Sequence, residues 1–210
     1  MIMTVTGARG RPAKSVALIK ETVFSTTFDI LESKGVAALS IDEIARQSQL
    51  AKKTIYKHFD SKDSLIKEMI VAWTSTKVIA ELPSPASKEE VITGLRHFFI
   101  TLATRVLSRE SVAIYRFLQN DVANKSELLA VYRTGGIDNA TLILDQWLED
   151  ARSGGMVNAA WPLNGATYLQ SLIITPLLRD ISLGIKHSPS EAESGLLVDQ
   201  ILADFRPLLI

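Results

Sequence analysis

The sequence contains no cysteine among its 210 residues, and its Lys and Arg residues equal its Asp and Glu residues in number. The absence of thiols excludes disulfides, thiolate catalysis and cysteine-based zinc sites, and it fits a cytoplasmic protein. No apolar run approaches the roughly 20 residues that span a bilayer. Residues 1–12 carry arginine and glycine without a following apolar stretch. We therefore expect a cytoplasmic protein with no signal peptide and no membrane partner.

Catalytic motifs are also missing. His97 and His187 have no carboxylate or histidine at metal-ligand spacing, and His58 lies in a lysine-rich segment. The sequence has no H-E-x-x-H, no G-x-S-x-G, no phosphate-binding loop and no dinucleotide fingerprint. We expect no catalytic residue, no metal and no cofactor, and hence a protein that is not an enzyme.

What the sequence does contain is enough apolar material for a folded core, because 47% of its residues are hydrophobic and 22% are charged. The charge is unevenly spread. Residues 1–62 hold 10 Lys or Arg and 6 Asp or Glu, a net charge of +4, whereas residues 83–210 carry a net charge of −3. A basic surplus in one module is expected of a nucleic-acid-binding unit, although many neutral proteins differ as much between their halves.

Helical periodicity dominates the chain, and no alternating strand pattern of useful length occurs, so the sequence predicts an all-α fold. Three capping boxes, Ser40 with Glu43, Ser87 with Glu90 and Ser190 with Glu193, mark helix starts. Gly35 marks the end of the first helix. The patterns predict helices over residues 15–34, 40–47, 51–59, 61–82, 87–106, 109–120, 125–153, 163–184 and 190–208. We expect bends or breaks at Gly135-Gly136 and Gly154-Gly155, and a kink at Pro176.

Residues 40–59 form two short predicted helices that are separated by Ser48-Gln49-Leu50. Apolar residues at their inner positions are spaced to pack against the first helix: Ile41, Ile44, Ala45, Leu50 and Ile55. The second helix turns lysines and hydroxyls outward, and such a helix can enter a major groove about 12 Å wide. The charge pattern alone is more typical of two packed helices with a solvated face.

The run from Ile41 to Leu65, IDEIARQSQLAKKTIYKHFDSKDSL, resembles the DNA-binding segment of the tetracycline-repressor (TetR) family. The similarity rests on Ile44-Ala45, on the run from Thr54 to Phe59, and on Ser61-Lys62-Asp63. Upstream, residues 28–36 resemble the end of that family's first helix. Gln49 departs from the family, which usually has glycine there. A left-handed backbone would cost glutamine about 1 kcal/mol relative to glycine.

The resemblance implies DNA contacts at particular residues. Lys52, Lys53 and Thr54 match positions that meet base edges or nearby phosphates. Contacts to the DNA backbone are implied for Tyr56, Lys57, His58 and Lys62. Ser40 lies at a helix N-terminus, where it binds a phosphate or simply caps the helix. Independently of the family, Arg9 and Arg11 form a short basic arm that enters a minor groove or remains a solvated tail.

The fold implied is an N-terminal three-helix helix-turn-helix unit, residues 1–60, followed by an antiparallel helical bundle, residues 61–210, with residues 61–82 as the linking helix. In the family this second region senses ligands and dimerises. Seven side chains, which together supply apolar bulk and a few polar tips, are candidate ligand contacts, although each is more often a core residue: Phe98, Leu102, Tyr115, Leu118, Gln119, Trp147 and Tyr168. The last two helices carry surplus apolar surface, which favours a homodimer interface over packing within the subunit alone.

The sequence thus predicts a homodimeric regulator that binds a palindromic operator on double-stranded DNA. The commonest mode in the family is repression that an unidentified small molecule relieves, and we expect that mode here. Two alternatives stay open, a DNA-binding factor without a ligand and a helical protein that binds a small molecule or acts as an enzyme.

Overall fold

The computed structural model describes residues 15–75, 82–120 and 124–210. This part of the chain contains α-helices and no strand, which confirms the all-α prediction. The helices are α1 Val16–Lys34, α2 Ile41–Ser48, α3 Lys52–Tyr56, α4 Lys62–Ser75, α5 Lys88–Val106, α6 Arg109–Gln119, α7 Lys125–Tyr132, α8 Asn139–Ser153, α9 Gly165–Ile173, α10 Thr175–Ser182 and α11 Glu191–Leu209.

The first three helices are bounded by local signals. The Ser15 hydroxyl accepts from the Leu18 amide at the start of α1, and Gly35 ends that helix with a φ of 76°. Gln49 ends α2 in the left-handed region, at φ 54° and ψ 32°, which is the conformation that glycine would favour at this position. Helix α3 is shorter than predicted because the His58 amide donates back to the Ile55 carbonyl at 2.9 Å, which tightens the chain into a turn after Lys57.

Only one of the three predicted capping boxes is reciprocal. Ser190 and Glu193 form it at the start of α11. Ser40 accepts from the Glu43 amide at 3.1 Å, but the Glu43 carboxylate is engaged by other side chains. The Ser87 hydroxyl likewise caps α5, while Glu90 accepts from the Ala86 amide at 2.8 Å rather than from Ser87. For the other two predicted boxes, the serine caps are confirmed and the return bonds from Glu43 and Glu90 are wrong.

The buried side chains form two hydrophobic clusters. Helices α1–α3 are here called the headpiece. The first cluster, here the headpiece cluster, joins these helices and α4 to the inner faces of α6 and α7. It contains Ile44, Ile55 and Leu65, none of which has exposed surface. The second, the bundle cluster, is built mainly from α5, α8, α9, α10 and α11. Helix α5 packs along α11, where Arg96 pairs with Asp199 at 2.6 Å.

Two interruptions in the bundle differ in kind. The sequence predicts a bend or break at Gly135-Gly136 within one helix over residues 125–153. The chain runs through without a break, from α7 into α8, by way of a π-helical segment, Arg133–Asp138. A Cβ on Gly135 would lie 2.7 Å from the Thr74 hydroxyl, so the glycine allows α4 to approach the segment closely. Helices α9 and α10 separate at Ile174, directly before Thr175 and Pro176, in agreement with the predicted proline kink.

Candidate DNA interface and effector cavity

The exposed side of α3 is basic and polar. Lys52, Lys53, Tyr56 and Lys57 are exposed, and Ile55 is fully buried behind them. Ile55 and Phe59 anchor the helix in the headpiece cluster. This places ammonium groups and a phenol hydroxyl on one surface, where they can donate to phosphate oxygens or guanine edges.

The remaining implied DNA contacts lie around this face. Thr54 and His58 are half-buried at its edges, while Lys62 is exposed in the first turn of α4. Ser40 is exposed and its hydroxyl caps α2. Arg9 and Arg11 lie outside the described residues.

Carboxylates hold several of the basic groups in the headpiece. Lys52 pairs with Asp42 at 2.6 Å across the α2–α3 turn. Glu43 binds Arg46 at 2.6 Å, Lys34 at 2.5 Å and Gln47 at 2.7 Å. Hydrogen bonds from Arg46, then from Lys34 and Gln47, hold the pKa of Glu43 well below its ordinary value. Glu43 thus fastens the end of α1 to α2, while Asp42 holds the Lys52 ammonium group.

A cavity of about 1290 Å³ opens beneath the headpiece. Its walls come from the last turn of α4, from α5 and α6, from α7 with the π-helical segment, and from α8, α9 and α10. The apolar lining includes Leu102, Trp147 and Ile174. The Trp147 indole donates to the Pro83 carbonyl at 2.8 Å, which holds the loop before α5 against the wall.

Hydroxyl and amide groups interrupt the apolar lining. Thr141 donates to the Gln170 side chain at 2.7 Å. Tyr115 and Tyr132 both line the cavity. Burial, with a smaller contribution from Tyr115, raises the pKa of Tyr132 to about 12, so its hydroxyl stays protonated near neutral pH. An apolar wall with a few fixed polar groups is typical of small-molecule sites.

The structure brings together three of the seven candidate ligand residues. Leu102, Tyr115 and Trp147 line the cavity. The others lie elsewhere, since helical periodicity does not tell which neighbour a face meets. Phe98 is in the bundle cluster, Leu118 is in the headpiece cluster, and Gln119 is exposed at the end of α6. Tyr168 is 45% exposed on the outer side of α9.

The seven candidate ligand contacts do not include the residues where α4 meets the cavity. Trp73 and Thr74 line it from the last turn of α4, and Arg105 lines it from α5. Arg105 was detectable as a cation three residues after Leu102 on an apolar helical stripe. Gly135 was noticed only as a helix breaker, although it too lines the cavity.

The outer sides of the last helices carry exposed apolar residues. Tyr168 and Leu172 are each 45% exposed on α9, and Leu196 is 72% exposed on α11. Leu169, Ile173 and Leu202, by contrast, are buried within the subunit. None of the described helices is both long enough and apolar enough to cross a membrane.

Comparisons with known proteins agree with this architecture. The family described as bacterial regulatory proteins, tetR family, matches residues 23–69, and the C-terminal domain of AefR-like transcriptional repressors matches residues 93–205. A curated relative from Bacillus subtilis (strain 168), the uncharacterized HTH-type transcriptional regulator YdeS, is 28% identical over 106 residues. That alignment spans about half of this chain and half of the relative.

Solved structures of low identity share the fold. A TetR-family regulator from Mesorhizobium loti has a TM-score of 0.76 at 18% identity, covering 93% of this chain and 99% of its own. The flavonoid-responsive regulator FrrA has a TM-score of 0.66 at 24% identity, covering 92% and 98%. FadR from Bacillus subtilis, in complex with stearoyl-CoA, has a TM-score of 0.68 at 13% identity, covering 87% and 97%. Because the C-terminal match alone spans more than half of the sequence, the chain belongs to the TetR family of DNA-binding transcription regulators.

Proposed function

We propose that this regulator is a homodimeric repressor that a small molecule releases from a palindromic operator. The observation that carries the proposal is the position of α4. Its first turns are buried in the headpiece cluster through Leu65, Ile66 and Met69, and its last turn forms part of the cavity wall through Trp73. One rigid helix therefore touches both the DNA-binding unit and the space for an effector.

The mechanism depends on the distance between the two recognition helices of the dimer. In a dimer the two recognition helices must lie about 34–36 Å apart to enter successive major grooves. An effector that fills the cavity pushes on the last turn of α4, and the headpiece moves with its first turns. The coupling is reciprocal, so operator DNA weakens effector binding by the same factor.

The proposed DNA contacts are those that the family resemblance implies. Lys52, Lys53 and Thr54 meet base edges or nearby phosphates, while Tyr56, Lys57, His58 and Lys62 meet the backbone. Exposure of the basic and phenolic groups on α3 supports this assignment. Ser40 contributes through its capped helix end, and the arm with Arg9 and Arg11 contributes in the minor groove.

The proposed dimer forms through the last two helical elements, α9–α10 and α11. Exposed Leu172 and Leu196 support this surface, since apolar side chains of that size gain by burial against a second copy. Leu172→Lys with Leu196→Lys should shift the protein to monomer in sedimentation. Leu142→Lys, at a 64% exposed position on α8, is the matched control and should remain a dimer.

Two neighbours of the same fold support an effector role for the cavity. FrrA is described as flavonoid-responsive, and FadR was solved with stearoyl-CoA. Neither name identifies the effector here, because both identities are below 25%. The volume of about 1290 Å³ favours a ligand-responsive regulator over a DNA-binding factor that needs no ligand.

The deciding experiment is selection of random duplex DNA by the purified protein, followed by binding of the recovered sequences over a salt series. A palindrome with half-sites about one turn apart and a steep loss of affinity with salt is expected. Failure to enrich any sequence would overturn the operator proposal. Binding of that duplex should also be measured with and without a small molecule that occupies the cavity, and the occupied protein should release the duplex.

A further inference from the structure

Arg105 is the cationic residue in the described lining of the cavity. The other charged lining residue, Asp150, is exposed. Arg105 lies on α5 one turn beyond Leu102 and is half-buried. A guanidinium remains protonated at all ordinary pH values, so the cavity wall carries a fixed positive charge.

No carboxylate of the described residues lies within ion-pairing distance of this charge. The Arg105 guanidinium instead donates through Nη2 to the Trp73 carbonyl oxygen at 2.8 Å. Its Cζ lies 3.1 Å from the centroid of the Trp73 ring. Burial lowers the pKa of Arg105, and the charge of Glu110 opposes this shift only in part. A partly desolvated cation that no described carboxylate pairs with directly favours an incoming anion.

Resting on the effector-sensing function proposed above, we propose that the cavity takes an ionised organic acid, with an apolar body in the cavity and its acidic group on Arg105. The apolar body follows from the rest of the lining, where Leu102, Trp147 and Ile174 are apolar and offer no charge to a small inorganic anion. Tyr132 also lines the cavity, and its hydroxyl can serve as a further donor to the ligand.

The same contact connects the ligand to the headpiece. Trp73 lies between Arg105 and Phe28 of α1, with 5.9 Å between the ring centroids of Trp73 and Phe28. The next residue, Thr74, fits against Gly135 of the π-helical segment. An acidic group on Arg105 competes with the Trp73 carbonyl for the guanidinium. Ligand binding therefore releases Trp73 of α4 from Arg105 of α5, so that α4 can shift as one helix, and Arg105 acts as both the specificity residue and the trigger.

Two fluorescent probes with nearly the same aromatic body separate charge from size. 8-Anilinonaphthalene-1-sulfonate carries a sulfonate, and N-phenyl-1-naphthylamine is its neutral counterpart. In the full-length protein, Arg105→Gln should weaken sulfonate binding by about tenfold or more, the value of a charge-assisted contact. The neutral probe should change by less than about twofold. Arg96→Gln, on the same helix but paired with Asp199, is the control and should leave both probes unchanged.

Equal weakening of both probes, or no weakening of either, would overturn the role of Arg105. In that case binding of the neutral probe would still support an effector cavity, so failure here is distinguishable from failure of the proposed function. If neither probe binds the wild-type protein, this inference and effector sensing both fall, while operator binding stands on its own test.

A second measurement needs only the wild-type protein and so does not depend on a variant that folds. Decanoate should displace the bound neutral probe at about tenfold lower concentration than decanol. Decanol acting as well as decanoate would overturn the preference for an acid. On the selected operator duplex, saturating decanoate should weaken binding of the wild-type protein and leave Arg105→Gln on the DNA. Equal release of both proteins would exclude Arg105 as the trigger.

Discussion

The side chains around the helix-turn-helix and those of the bundle cluster differ in what they border, although both regions contain side chains with no exposed surface. Around the helix-turn-helix, Ile30, Ile44, Ile55, Leu65 and Ile70 have no exposed surface. The bundle cluster borders a cavity of about 1290 Å³. A filled core has one arrangement and resists deformation, whereas a wall beside empty space lacks dispersion contacts that a guest molecule can supply. The headpiece is thus suited to holding the recognition helix fixed, and the bundle to changing when it is filled.

The largest effect expected from this difference is on stability. Ile44→Ala, in the headpiece cluster, should lower the free energy of unfolding by about 2–5 kcal/mol, because it creates a new void among close-packed neighbours. Ile174→Ala, on the cavity wall, should cost only about 1–2 kcal/mol, since its side chain already borders empty space. Urea titration at one fixed protein concentration measures both. Equal losses of unfolding free energy in the two variants would contradict the difference between the headpiece cluster and the cavity wall.

The next effect concerns DNA alone. Tyr56→Phe with Lys62→Ala removes a hydroxyl and a charge from each headpiece, so operator affinity should fall by at least about tenfold. The salt dependence should become shallower by about two phosphate contacts per dimer. Binding of the neutral probe and the unfolding midpoint should be unchanged. Lys186→Ala, beyond the end of α10, is a charge-matched control. Unchanged operator affinity in the double variant would remove the backbone contacts that we assign to these residues.

These two regions also differ in how far sequence could predict them. Most of the headpiece is encoded locally: Ser15 and Gly35 bound α1, Ser40 starts α2, and the left-handed Gln49 sets the turn. Each signal lies within a few residues of the element that it defines. Helix type and approximate bounds in the bundle followed from periodicity in the same way.

The cavity depends on contacts between distant parts of the chain. Arg105 meets Trp73 across 32 positions, and Gly135 meets Thr74 of α4 only in the folded protein. Periodicity shows that a helix has an apolar face but not which helix covers it, so Phe98 and Leu118 were as good candidates as Leu102. The π-helical segment carries no periodic signal of its own, so Gly135-Gly136 predicts only a bend or a break in the helix.

A smaller effect tests whether the headpiece restrains its own DNA-binding face. Asp42→Asn removes the partner of Lys52 and one negative charge near the phosphates. Operator affinity should rise by about two- to fivefold, the range of an exposed ion pair. Asp204→Asn, on α11, changes the net charge equally and should have no effect. Because the pair is exposed, the gain should shrink as salt rises. A fall in affinity would instead assign Asp42 a positive role in orienting Lys52.

The smallest effect is the acid sensitivity of the headpiece. Hydrogen bonds from Arg46, Lys34 and Gln47 lower the pKa of Glu43 in the folded protein below its ordinary 4.5. A lowered pKa means that the charged carboxylate stabilises the fold fully above pH 4.5, and that this contribution is lost as the pH falls below that value. The unfolding free energy of Glu43→Gln should therefore fall less steeply in acid than that of the wild-type protein, and the two should converge.

Glu21→Gln, an exposed carboxylate of α1 without an ion pair to any described residue, is the control for this titration, and it should follow the wild-type curve. Parallel curves for Glu43→Gln and the wild-type protein would mean that the three partners of Glu43 add nothing to folding. In that case apolar packing in the headpiece cluster, which includes Ile44 and Ile55, would hold the first helices together without help from Glu43. That result would sharpen the contrast with the cavity wall, where Arg105 joins α5 to Trp73 of α4 through a hydrogen bond and a cation–π contact.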